Sequence, residues 1–528
     1  RLQPARPRGE LGIGRLVFSP DGKRLASAGT RSFRPWEDAS AGTNFIRLWE
    51  VASAREIGTY ATNHYDVHAL AFTPAGKLLA LGRFIEKGGI ETIRLWDVAS
   101  GQELRRLTGH QSGLGDYRGQ QVHTVSLALS PDRRWVAAGT SDHAIRLWGL
   151  TAGAPGRPCR ALVGHRIGPA ALAFAPDGKL LASNSHDDRP IRVWEVATGV
   201  ERWRSARETT PPCALAFSPD GSALASGLLD DRTVCLWDAA TGKELRRLRG
   251  HAIWPLHVAF SPDGRLLASA GEERTIRLWE VATGSPVCSW TAPQGPVCSL
   301  AFSPDGRALA SGCCRGGAIL LWDVTNPPGK KVRPAVPLAA HDLKRLWATL
   351  ADGSAAEAHT AVWALAAAPE QSVPFLAQSL PPVPAVAAAL VAGWIAALDS
   401  DVYAERQKAD EQLRRCAGAA ESLLRQSLDG KKLSLEVRRR IEKLLGGLAE
   451  NTPQRLRERR AVAVLEHVGT SEARRVLEGL SRGAPQAQPT KQAKAALDRL
   501  ANRRRGVDCP SRRTAPTRKP ATLADGPP

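Results

Sequence analysis

Two short phrases recur in tandem along residues 16–323, and they limit the fold more than any other feature. The first is an apolar run ending in a turn: LVFSPDG at 16–22, LAFTPAG at 70–76, LALSPDR at 127–133, LAFAPDG at 172–178, LAFSPDG at 215–221, VAFSPDG at 258–264 and LAFSPDG at 300–306. The second closes each unit on a tryptophan, as in IRLWE or IRLWD, at Trp49, Trp96, Trp148, Trp194, Trp237, Trp279 and Trp322. Self-similarity at a period of about 40 residues marks an array of identical supersecondary units. It also explains fifteen Trp beside only four Tyr, because one Trp-bearing unit has been copied.

The chemistry of each phrase predicts its local structure. Ser-Pro-Asp-Gly suits a type I turn, with Pro presetting φ at its second position and Gly at its fourth. The runs on either side are apolar on both alternating faces, as in strands buried on both sides. A third strand ends in the Trp. A fourth, such as KELRRLRG at 243–250, is far more polar and belongs at the outside. Four antiparallel strands per unit, seven times over, predict a seven-bladed β-propeller.

These residues resemble the WD40 family from about Gly14 to Leu338. The resemblance extends to a Gly-His pair before the inner strand, at Gly109-His110, Gly164-His165 and Gly250-His251. It implies a buried network joining that His to a hairpin acid and the closing Trp. The matching sets are His110, Asp142 and Trp148, then His165, Asp188 and Trp194, then His251, Glu273 and Trp279, with Glu where Asp is usual. The other units lack the full set, Asp231 having no matching His, and are expected to lean on apolar packing. These histidines recur at repeat spacing, so they are read as structure and not as bases or ligands.

The rhythm breaks in the first half. Trp-to-Trp steps are 47, 52 and 46, then 43, 42 and 43. Extra residues lie at Thr30–Asn44, near Phe84–Glu91, and around Gln111–Gln121. Connections between second and third strands, and between one blade and the next, emerge on one side of the disc. That side is therefore the expected binding face. Its candidates are Arg34, Trp36, Glu37, Tyr65, Asp66, Tyr117, Arg166 and Trp254, chosen because Trp, Tyr and Arg dominate interface energetics.

After Trp322 the composition shifts to Ala, Leu, Arg and Glu at helical spacing. Helices are expected at Leu343–Leu350, Ala355–Ala368, Pro369–Leu380, Val402–Ala417, Ala419–Leu428, Leu435–Leu448, Pro453–His467, Ser471–Leu480 and Thr490–Ala501. The apolar stretch Val383–Leu398 holds Pro384 and Gly393 and is too short to span a bilayer. It is expected to be a buried helix. Two helix pairs, 399–416 with 419–428 and 453–469 with 471–480, resemble HEAT-type repeats. The whole order resembles a group of planctomycete bacterial WD40 proteins, in which a Ser/Thr kinase or sigma-factor-like domain often precedes the propeller.

The fold class expected is therefore multidomain: an all-β seven-bladed propeller and an all-α HEAT-like solenoid. The divisions are a lead-in at 1–13, the propeller at 14–338, the helical region at 339–502 and a basic disordered tail at 503–528. Met is absent, so a processed chain or a piece of a longer one is expected. Nine Cys with no CxxC pair argue against a zinc site or a disulfide framework and point to a reducing, cytoplasmic setting. No P-loop, GxSxG elbow, HExxH or kinase signature is present. No catalytic residue, metal or cofactor is expected. The leading function is a protein–protein interaction scaffold. The alternatives are a regulatory or targeting region of a larger signalling protein, and, on a net charge of +20, nucleic-acid binding through the basic helical half and tail.

Overall fold

The computed structural model describes residues 12–30, 45–61, 65–85, 91–108, 124–150, 158–185, 191–205, 212–229, 231–293, 295–313, 317–328, 337–429, 433–448 and 451–507. Their first part is a seven-bladed β-propeller. Six antiparallel sheets have four strands each in simple sequential order, and the seventh has three among the described residues. The sixth is representative: Pro255–Phe260 is innermost, then Leu266–Gly271, Thr275–Glu280 and Pro286–Thr291. Every unit builds its own blade, so no strand is exchanged to close the ring among the described residues. Blade one instead packs on blade seven through Ile13, Phe18, Leu25, Trp49, Ala310 and Ile319. The Ser299 hydroxyl of blade seven donates to the Ile13 carbonyl at 2.9 Å. Ser126 makes the same kind of bond from blade three to Pro169 of the next, at 2.6 Å. The outer strand expected at Val332–Leu338 falls largely outside the described residues.

The SPDG turns form as the sequence predicts. In blade six the Gly264 amide donates to the Ser261 carbonyl at 2.8 Å, and the Ser261 hydroxyl donates to Asp263 at 2.6 Å. Gly264 sits at φ +71°, a left-handed value that favours glycine. Blade three places Arg133 there, at φ +58°.

The helices are α1 Ala340–Thr349, α2 Ala355–Ala366, α3 Pro369–Ser379, α4 Ala388–Ala397, α5 Tyr403–Asp429, α6 Leu435–Gly446, α7 Pro453–Val468, α8 Ser471–Ser481 and α9 Gln488–Val507. Ser354, Ser434 and Thr470 cap α2, α6 and α8 by accepting a backbone N–H. Two cores result. One joins α1, α2 and α3 to α7, α8 and α9; Leu365, Leu376, Val464, Leu477 and Ala496 lie in it. The other belongs to α4, α5 and α6, with Val391, Leu413, Leu424 and Ile441. The α4–α6 unit is thus an insertion between α3 and α7.

Several expectations need correction. Val402–Ala417 and Ala419–Leu428 are one helix, α5. A single Gly costs a helix only about 1 kcal/mol, and the buried stripe Leu413, Ala417, Ala420, Leu424 runs straight past Gly418. The helix within Val383–Leu398 is not buried: in α4 only Val391 is, and Leu390 is 55% exposed. Prolines 381, 382 and 384 hold the preceding chain out of a helix, and alanines offer little area to bury. The last helix begins at Gln488 and continues to Val507, past the expected start of the tail. Cys298 is disulfide-bonded, which removes the cysteine argument for a reducing compartment. Among the described residues no helix is long and apolar enough to cross a membrane.

Candidate functional site

In a blade of four sequential antiparallel strands, the first-to-second and third-to-fourth turns share one face of the disc. The second-to-third turns and the blade-to-blade connections share the other. The helical region sits on the first of these faces. Arg460 of α7 donates to both carboxylate oxygens of Glu280, each at 2.7 Å, and to the Leu350 and Asp352 carbonyls at 2.8 and 2.7 Å. Arg265, beside the SPDG turn of blade six, pairs with Glu466 at 2.9 Å. Arg307 donates to the His467 carbonyl at 3.1 Å, and His359 of α2 to the Val324 carbonyl at 2.7 Å. Ala355 of α2 packs with Val287, Trp290 and Val324. The face carrying the candidate loops is the opposite one.

On that face the structure describes two candidates fully. Arg166 and Trp254 follow the Gly-His pairs of blades four and six; Arg166 is exposed and Trp254 is 37% exposed beside Ile253 at 43%. Tyr65 and Asp66 lie in the innermost strand of blade two, Tyr65–Phe72. Arg34, Trp36, Glu37 and Tyr117 lie outside the described residues.

The Trp254 loop is braced from beneath by the most complete polar network. The Trp279 indole donates to Ser269 at 2.8 Å, Ser269 lies 2.6 Å from His251 Nε2, and His251 Nδ1 lies 2.5 Å from Glu273. One proton arrangement satisfies every member: Ser269 donates to a neutral His251, which donates to Glu273. Burial pushes the His251 pKa below its ordinary value, against the pull of Glu273. The second Glu273 oxygen accepts the Ala252 amide at 2.7 Å. The Glu272 amide donates to the Trp254 carbonyl, and Arg232 of blade five donates to the Ala252 carbonyl at 3.1 Å. Trp254 is therefore presented on a fixed loop.

The network departs from expectation in informative ways. In blade four Trp194 donates to Ser183 at 2.8 Å, which lies 2.7 Å from His165; Asp188 is outside the described residues. In blade three the serine position is Ala138, so the Trp148 indole donates to the Thr108 carbonyl at 3.1 Å. There Asp142 holds Arg146 through both oxygens, at 2.8 and 2.6 Å, and accepts from Thr140 at 2.5 Å. Burial raises that carboxyl, but those bonds outweigh it and bring the pKa to about 2. His110 lies outside the described residues. In blade five, Asp231 takes Arg247 as its partner at 2.5 Å. Units expected to lean on apolar packing also keep a polar bond: Ser27–Trp49, Ser226–Trp237 and Ser311–Trp322, each 2.9 Å. The serine of the recurrent LAS phrase was the signal that sequence reasoning missed.

A second feature was also missed. The turns between second and third strands place His143, Arg232 and Arg274 at φ +73°, +54° and +60°. The equivalent position in blade seven is Gly317, at φ +59°. On the opposite face, the third-to-fourth turns use Gly101, Gly199, Gly242 and Gly284 at such angles, Ala54 being the exception. A side chain in the left-handed region costs about 1–2 kcal/mol. Basic side chains thus occupy strained positions on the loop face, and Arg232 and Arg274 are exposed. Among the described residues no group of three or more His, Cys, Asp or Glu can hold a metal ion.

Comparison with known proteins agrees with this geometry. The family described as WD domain, G-beta repeat matches residues 101–149, 156–195, 206–238, 242–280 and 284–323. An uncharacterized WD repeat-containing protein of Synechocystis is 35% identical over 14% of this chain and 20% of its own length. A Denticleless protein homolog of Homo sapiens is 28% identical over 16% of this chain and 12% of its own. Nuclear distribution protein PAC1-2 of Uncinocarpus reesii is 42% identical over 12% of this chain and 13% of its own. The aligned stretches span a fifth or less of these relatives.

Proposed function

We propose that this WD40-repeat propeller is a non-catalytic scaffold that grips a protein partner on its loop face. The observation that carries the reading is the braced, exposed Trp254 with strained arginines around its blade. A large aromatic held on a fixed loop pays little entropy on binding. Arg166, Arg232 and Arg274 favour a partner segment that combines acidic residues with an apolar anchor. The helical region docks on the far face. Propellers of this kind generally hold protein partners, and the described histidines of the network are engaged in structure.

Two variants test the reading in the full-length chain: Trp254→Ala, and Arg232→Gly with Arg274→Gly. Both are expected to lose at least tenfold in affinity for the partner captured by the unaltered protein. The glycine pair is also expected to gain about 1 kcal/mol of stability, since it removes left-handed strain. Undiminished affinity in both variants overturns the loop-face assignment. The charge of +20 favours nucleic acid as a second reading. Affinity for DNA or RNA that does not fall as salt rises rules out a phosphate-driven mode.

A further inference from the structure

The innermost strands of the blades surround the central channel of the propeller. Four residues before the turn phrase, five of these strands carry serine or alanine; blades one and six carry Arg15 and His257. The serines Ser126 and Ser299 use this place to hold the next blade through a backbone carbonyl. Arg15 does so too: its Nε donates to the His68 carbonyl of blade two at 2.6 Å, and its Nη1 donates to the Gly14 carbonyl at 2.8 Å. Gly14 and His68 are the residues that the ladder to the second strand skips. The guanidinium that bridges these two inner edges therefore stands in the channel wall.

A serine holds two blades together without bringing in a charge; Arg15 brings one. Two of its five N–H donors go to those carbonyls, and it meets no carboxylate among the described residues. The side chain is open to water, yet the protein around it is close enough that desolvation lowers its pKa. Both hold for a group in a narrow aqueous channel. Burial, and after it the Arg15 charge, push the His257 pKa down to about 3, so blade six adds a neutral ring and not a second cation.

A cation between low-dielectric walls focuses its potential and draws in an anion. A carboxylate matches Arg15 in charge and offers two oxygens to the guanidinium fork. A phosphoryl group near neutral pH carries about −1.5 to −2 and exceeds what one guanidinium balances. The strand Gly12–Phe18 runs from the loop face toward its turn on the helical side, which puts Arg15 below the loop-face mouth. His257 follows Trp254 by three residues on blade six. We propose that the channel beneath the loop face takes the carboxylate of an aspartate or glutamate side chain of the partner segment, seated on Arg15. This rests on the loop-face reading and deepens it: Trp254 meets the apolar anchor at the rim, and Arg15 meets the acid within.

The test is titration calorimetry on the full-length chain with the acetylated, amidated peptide Ala-Leu-Glu-Leu-Ala, at constant ionic strength. Saturable binding is expected, at least tenfold weaker when the peptide's Glu is replaced by Gln. Arg15→Ser installs the residue that blades three and seven use, and is expected to weaken binding at least tenfold with an unchanged denaturation midpoint. Arg202→Gln removes one charge from an exposed outer-strand site and is expected to change nothing. Absence of saturable binding, or equal affinity of the Glu and Gln peptides for the unaltered chain, overturns the proposal. Loss with Trp254→Ala but not with Arg15→Ser also overturns it and leaves the loop-face reading standing; no loss with either overturns both.

Discussion

The serine in each LAS phrase shows how one residue can carry different weight in identical strands. Among the described residues Ser27 accepts only the Trp49 indole, whereas Ser269 links Trp279 to His251 and through it to Glu273. Losing a buried partner costs about 1–3 kcal/mol for each polar group left unpaired. Ser27→Ala strands one group and is expected to cost about 1 kcal/mol; Ser269→Ala strands two and is expected to cost about 3 kcal/mol. Shifts in the denaturation midpoint measure both. Equal shifts count against a continuous network. The His and Trp were legible because they are rare residues at fixed spacing. The serine was not, since nothing in LAS distinguishes a hydroxyl in the core from one at the surface. Arg232 and Arg274 escaped for a related reason: a left-handed angle is announced by glycine, and these positions carry arginine.

At the scale of elements, strands were easier to read than helices. Each strand is bounded by a turn phrase that repeats seven times, so errors cancel along the array. Helices have no such copies, and their ends depend on packing. Gly418 reads as a break, yet Leu413, Ala417, Ala420 and Leu424 bury one continuous face of α5. The apolar run at α4 reads as core, yet its alanines leave it largely exposed. Neither error was visible locally, because each depended on which helix lay opposite. The separate core of α4–α6 has a measurable consequence. Ile441→Ala is expected to destabilise that unit by about 2–5 kcal/mol. Hydrogen exchange should then accelerate in α4, α5 and α6 while the propeller strands keep their protection. Uniform acceleration in both regions means that the unit does not unfold by itself.

The whole molecule is held by polar groups at the junction of its two parts, which no local pattern announces. Glu466 is fully buried and receives Arg265 from the propeller and Arg499 from α9, at 2.9 and 2.8 Å. Next to it His467 stacks on Trp363 with ring centroids 4.3 Å apart, and Arg307 lies over the same indole at 5.7 Å. Burial lowers the His467 pKa from its ordinary 6.5 to about 4, against the pull of Asp263. The folded state therefore keeps this ring neutral where the unfolded chain already binds a proton. Stability from His467 is complete above pH 6.5 and is lost as the pH falls from 6.5 toward 4. His359 and His251 are lowered by burial too, so they act in the same direction. Asp263 and Glu466 are held below their ordinary values by Arg265 and Arg499, and contribute to the loss only at more acid pH. Between pH 7 and 5 the His467 share is about 2 kcal/mol, at about 1.4 kcal/mol per unit. His467→Phe preserves the stack on Trp363 but cannot titrate. Its denaturation midpoint is expected to fall less steeply over this range than that of the unaltered chain. If the two slopes coincide, the junction is not the site where acid is felt.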